Sequence, residues 1–111
     1  MAWTKKFKFT RPNTDVDFYK ADGADSGRTG QLNNSDLSYM GSTYKDTGKV
    51  VSISTSLSDN QLELTKTLVY KDEASKDEHI SDSVVQSFVG DMIEYNTTNN
   101  ILIAIIQDEA T

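Results

Sequence analysis

The chain has 111 residues, enough for one domain with one modest core. A net charge of −6 argues against nucleic acid as a partner, since phosphate affinity needs a basic surface, and the lack of cysteine excludes disulfides and thiolate metal sites. The hydrophobic share is 36%, about 41% with the six glycines, against ~45–50% in ordinary globular domains, so the expected core is thin, of the kind a neighbour completes.

Trp3 to Arg11 alternates. Trp3, Phe7 and Phe9 share one face, and Thr4, Lys6, Lys8 and Thr10 share the other, which predicts a half-buried strand closed by Pro12. Lys5, Lys6, Lys8 and Arg11 give this stretch a charge of +4, and the rest of the chain carries −10. The lysines either solubilise an edge or outer strand, or meet an acidic face of another copy. The N-terminus has no apolar leader pattern, and no apolar run approaches ~18 residues, so neither a signal peptide nor a membrane span is expected.

Residues 13–34 read as a long loop or arm. Val16, Phe18 and Tyr19 fit a short strand or one helical turn, and the segment from Ala21 to Gly30 is rich in Gly, Asp and Ser. Asn34-Ser35-Asp36 predicts a helix start, followed by an apolar stripe of Leu37, Met40 and Tyr44 with Gly41 as a weak point. Asp46-Thr47-Gly48 ends it. Lys49 to Leu57 alternates, with Val51, Ile53 and Leu57 on one side. Gln61 to Lys71 alternates too, with Leu62, Leu64, Leu68 and Tyr70 inward. With Ser58-Asp59-Asn60 as the turn, these form a hairpin.

Ser75-Lys76-Asp77-Glu78 has capping-box spacing, and Ser81 or Asp82 offers another cap. Val84, Val85, Phe88, Val89, Met92 and Ile93 then recur at helical spacing, the strongest helix signal in the chain. Asn96-Thr97-Thr98 and Asn33-Asn34-Ser35 match the glycosylation pattern but read as loop and cap asparagines. Ile101 to Ile106 is apolar on both faces of a strand, and Asp108 to Thr111 reads as a polar tail.

Chemistry-bearing patterns are sparse. His79, the single histidine, reads as a solvated residue near a helix start. Asp15, Asp17, Asp22 and Asp25 lack the calcium-loop spacing, and Gly23, Gly27 and Gly30 lack the Lys-Ser/Thr of a phosphate loop. No nucleophile-elbow pattern occurs. The aromatics and lysines of the first strand point to opposite faces, unlike a single-strand binder. Tyr39, Tyr44, Tyr70 and Tyr95 either line a pocket or serve an interface. No catalytic residue, cofactor or metal ligand is therefore expected.

The element order, strand, helix, strand, strand, helix, strand, predicts one α+β domain over residues 1–111 with a ferredoxin-like βαββαβ arrangement: a four-stranded antiparallel sheet with two helices on one face. In that arrangement the last strand lies at an edge beside the first, where two apolar faces invite association. The order is similar to that of the dimeric α+β barrel class, which includes antibiotic-biosynthesis monooxygenase-like proteins. That resemblance implies a small enzyme or ligand binder with a pocket between sheet and helices lined by Tyr39, Tyr44 and Tyr70. The polar Ser52, Ser54, Thr65 and Thr67 depart from the apolar filling such a barrel wants. The stretch from Phe7 to Tyr19, Phe-Lys-Phe-Thr-Arg-Pro-Asn-Thr-Asp-Val-Asp-Phe-Tyr, in a short acidic chain without cysteine, resembles small proteins of tailed phages, particularly marine ones.

The phage resemblance implies a non-enzymatic virion subunit (tail, neck or capsid-decorating) located in the particle, with cytoplasmic residence as the alternative. A phage-encoded regulator of a host protein is a further alternative. The expected partners are copies of the chain or other virion proteins, with no nucleic acid and no membrane. The expected interface is Trp3, Phe7, Phe9, Ile101, Ile103, Ile105 and Ile106.

Overall fold

Alternation in the sequence becomes a single antiparallel sheet with helical segments packed on one of its faces. The computed structural model describes residues 1–19 and 38–111. The elements are β1 (Trp3–Thr10), a short π-helical segment α1 (Gly41–Lys45), β2 (Val50–Leu57), β3 (Glu63–Tyr70), α2 (Glu73–Ser81), α3 (Ser83–Thr98) and β4 (Leu102–Ala110). The sheet order is β2-β3-β1-β4, and every neighbouring pair is antiparallel. β1 is thus a central strand and β4 an edge strand.

Charge is matched inside this sheet. Lys5 stands opposite Asp108 on β4, and Lys8 bonds Glu63 on β3 at 2.5 Å. The stretch after Ile106 is therefore strand rather than tail, because the basic first strand offers it a complementary partner. The β1–β4 register shifts between Lys6 and Phe7, which leaves Ile106 as the bulged residue.

The inner face of the sheet carries two core clusters. Met40, Tyr44, Val50, Leu68, Tyr70, Val85 and Phe88 form one, joining α1 and α3 to β2 and β3. Phe9, Phe18, Leu64 and Ile101 form the other, with Met92 and Tyr95 packed against it. Of residues 13–19, Phe18 is buried, with the Arg11 guanidinium 4.6 Å from its ring centre. Arg11 also donates to the Gln61 carbonyl at 2.7 Å and the Val16 carbonyl at 3.1 Å, which ties the exit of β1 to the hairpin. The expected helix start at Asn34-Ser35-Asp36, Leu37 and the cluster from Ala21 to Gly30 lie outside the described residues.

Three local expectations are corrected. On β2, a register shift between Val50 and Ser52 turns Val51 outward and buries Val50, so the inward set is not the one simple alternation selects. α2 is capped by Asp72, whose carboxylate accepts from the Ser75 backbone N–H at 2.8 Å, which places Ser75 inside the helix. Asn96 lies in α3 and is buried, rather than in a loop. Asp82 caps α3, accepting from the N–H groups of Val84 and Val85, and its extended backbone separates α2 from α3.

Candidate functional site

The helices leave β4 uncovered beyond Ile101. Leu102 is 69% exposed, Ile103 38%, Ile105 59% and Ile106 51%. Ile103 and Ile105 lie opposite Phe9 and Phe7 of β1, on the face that carries the helices further along the sheet. Leu102 and Ala104 lie opposite Thr10 and Lys8, on the hydroxyl- and lysine-bearing face. The outer edge of β4 hydrogen-bonds no other strand among the described residues. It combines open backbone groups with apolar side chains on both faces, the combination that templates pairing.

The other predicted interface residues are engaged within the chain. Phe9 and Ile101 are buried in the second core cluster. Phe7 is half-buried between the two clusters and stacks near Phe9, with ring centres 6.4 Å apart. Trp3 donates from Nε1 to Asp108 at 2.6 Å and holds the Lys76 ammonium 4.5 Å from its ring centre. The structure thus brings Trp3, Phe7 and Phe9 alongside β4 but leaves the exposed apolar surface to Ile103, Ile105, Ile106 and Leu102. Leu102 belongs with them, and its apolar character next to the Ile run was the signal that could have found it.

No family model matches this chain, and neither a curated protein nor a solved structure does.

A polar cluster lies where α1 meets the α2–α3 junction. The Tyr39 and Tyr44 hydroxyls both donate to Asp82 Oδ2, at 2.6 and 2.5 Å. These bonds hold the Asp82 carboxyl down at about 2. Burial, then the Asp82 hydrogen bond, raises the Tyr44 phenol well above its usual range. Tyr70 bonds His79 Nδ1 at 2.7 Å, and His79 Nε2 lies 3.3 Å from Met40 Sδ. A thioether has no proton to give, so Nε2 carries the hydrogen and Nδ1 accepts from Tyr70. His79 is buried rather than solvated, because the turn of α2 that carries it faces the sheet. Burial first, then Lys66 and Lys5, lowers its pKa to about 4, so it is neutral at pH 7. This cluster locks three elements together.

Next to it, an open cavity of about 740 Å³ lies between the sheet and the helices. Tyr70 and His79 reach its wall, with Phe7, Phe88, Met92 and Lys66, whereas Tyr39 and Tyr44 do not. Among the described residues no group of three or more His, Asp or Glu side chains is placed to hold a metal, and no helix is long and apolar enough to cross a membrane.

Proposed function

We propose that this chain is an assembly subunit that works by repeated protein–protein contact through the β4 edge. The observation that carries this reading is an edge strand of nine residues, its outer edge unpaired among the described residues, bearing four large apolar side chains exposed on both faces. The first occupant is a second copy of the chain, its β4 running antiparallel to this one. A two-fold register centred on Ala104 sets Leu102 against Ile106 and Ile103 against Ile105. It also carries Asp108 and Glu109 past the start of the partner copy's β4 at Leu102, so the acids do not meet each other. Like-charge pairs are avoided and apolar residues meet apolar residues, as a self-complementary interface requires.

The finer fold reading is a ferredoxin-like pair of split βαβ units. It is supported by β1 lying between β3 and β4, with helical segments in both crossovers. The biological setting is a tailed-phage particle, with the chain as a tail, neck or decorating component and no catalytic role. The phage-like stretch from Phe7 to Tyr19 supports this setting. Light scattering with size separation tests the contact: oligomers that dissociate on dilution are expected, and a monomer at all concentrations removes self-pairing. Mass spectrometry of purified particles tests the setting. Absence of the chain from particles, together with its recovery from the host cytoplasm, would favour the regulator instead.

A further inference from the structure

In a chain with 17 acidic and 11 basic residues, the wall of the 740 Å³ cavity carries three lysines, Lys5, Lys45 and Lys66, and no described Asp or Glu. Lys66 is the least ordinary of them. It occupies the inner face of β3 between the buried Leu64 and Leu68, opposite Phe7 on β1 and Thr55 on β2. A lysine at this place in a strand interrupts a core face, and burial alone lowers its pKa. It makes no ion pair with a described residue, unlike Lys8, Lys49 and Lys76.

A second observation comes from α3. Asn96 is 2% exposed, and among the described residues neither its amide nitrogen nor its amide oxygen has a hydrogen-bond partner. Buried amides are rarely left this way, and each such case asks for an unseen partner. Asn96 and Lys66 line the same recess of about 10 Å³, with Phe9, Leu64 and Met92, and Lys66, Phe9 and Met92 also line the large cavity. The recess alone holds at most about one water. Lys66, Phe9 and Met92 are shared walls, so the recess lined by the Asn96 amide adjoins the Lys66 end of the larger cavity. The size of that cavity falls in the ~300–1,000 Å³ range of small-molecule sites.

We infer that this cavity binds a small organic acid, with its carboxylate on Lys66 and the Asn96 amide and its apolar body against Phe7, Phe88 and Met92. The chemistry follows from what each group lacks. A carboxylate gives the Lys66 ammonium its counter-charge and accepts from the Asn96 amide N–H, a charge-assisted pair of bonds in an apolar setting. Lys45 and Lys5, the latter opposite Asp108 on β4, add positive potential of the same sense, and Asp108 and Asp82 are the opposing acids, acting on Tyr70 and His79 of the wall. A cationic ligand would meet repulsion there, and a neutral one would leave Lys66 unpaired. The site is separate from the β4 edge and does not depend on assembly.

Calorimetry and thermal shift on the full chain would compare octanoate, dodecanoate and phenylacetate with decanol and decyltrimethylammonium. The expected result is saturable one-to-one binding of at least one carboxylate, with the alcohol and the cation at least tenfold weaker. Preference between the fatty and aromatic acids identifies the body the cavity prefers. Lys66→Met is expected to weaken the acid at least tenfold, and affinity is expected to fall as pH rises and Lys66 loses its proton. Should Lys66→Met not fold, Asn96→Leu serves, with the same direction of change. Amide shifts on binding are expected near Phe7, Phe88 and Asn96. Equal binding of acid and alcohol, shifts confined to β4, or no acid binding with a raised melting temperature in Lys66→Met would each overturn the proposal.

Discussion

Ile105→Lys is the sharpest perturbation of the proposed interface. Burying a whole Ile side chain is worth about 1.5–3 kcal/mol. With 59% of Ile105 exposed, its share on association is about 1–2 kcal/mol per protomer. A two-fold contact counts it twice, about 2–4 kcal/mol, which at ~1.4 kcal/mol per decade is a 30- to 700-fold rise in the dissociation constant. Within the monomer the change should cost less than about 0.5 kcal/mol, because the side chain already faces water. Sedimentation velocity over a dilution series measures the constant, and thermal melting checks the monomer. Val51→Lys is the matched control: Val51 is as exposed as Ile105 but sits on β2, at the opposite edge of the sheet. Equal weakening by both substitutions, or none by Ile105→Lys, would refute the assignment to β4.

Four further outcomes follow from the polar cluster and from two glycines. His79 has a folded pKa near 4 against 6.5 unfolded, so the unfolded chain binds the extra proton between these values. Stability is therefore full above pH 6.5 and falls by about 3 kcal/mol as pH drops toward 4. Urea midpoints should show this fall, and His79→Gln should flatten it. Tyr44→Phe removes a 2.5 Å bond to an ionised carboxylate and should cost about 1.5–3 kcal/mol at pH 7. Because Asp82 is held at about 2, its contribution exists above the ordinary carboxylate range and fades as pH falls toward 2. The gap between Tyr44→Phe and the parent chain should narrow over the same interval. Gly48→Ala should lower stability by about 1 kcal/mol, since Gly48 sits at φ +77°. Gly41→Ala meets no neighbour and should raise it by up to about 1 kcal/mol, both read from melting curves.

Period-two alternation carried most of the sheet into view. β1 and the β2–β3 hairpin lie where their apolar spacing puts them, because a half-buried strand has little other way to satisfy both faces, and β4 begins within its continuous apolar run. The Val84 to Ile93 stripe marked α3 for the same reason at helical spacing. What alternation cannot carry is a bulge: one extra residue at Val51 swaps which valine is buried, and no residue type there announces it. The acidic end of β4 looks like a polar tail in sequence because its strand character comes from pairing with Lys5, across 103 residues of sequence. His79 and Asp82 depend on tertiary neighbours from α1 and β3, so their environment has no local signature. Lys66 was legible in principle. The count that sends Leu64 and Leu68 inward sends Lys66 with them, and a lysine on a core face is the kind of local conflict that marks a working site.

The position of β1 has a consequence for how the chain comes together. Its two neighbours are β3, which begins at Glu63, and β4, which ends at Ala110. β1 therefore cannot gain its second partner until synthesis has run on from its own residues through β4. Such distant pairings lengthen the search and slow folding. During that interval Phe7 and Phe9 lie along an unprotected edge, so the nascent chain passes through a state stickier than the finished one. Any device that shortens this interval, such as an early-docking partner or a chaperone, would act on the β1 side of the sheet before β4 exists to be paired.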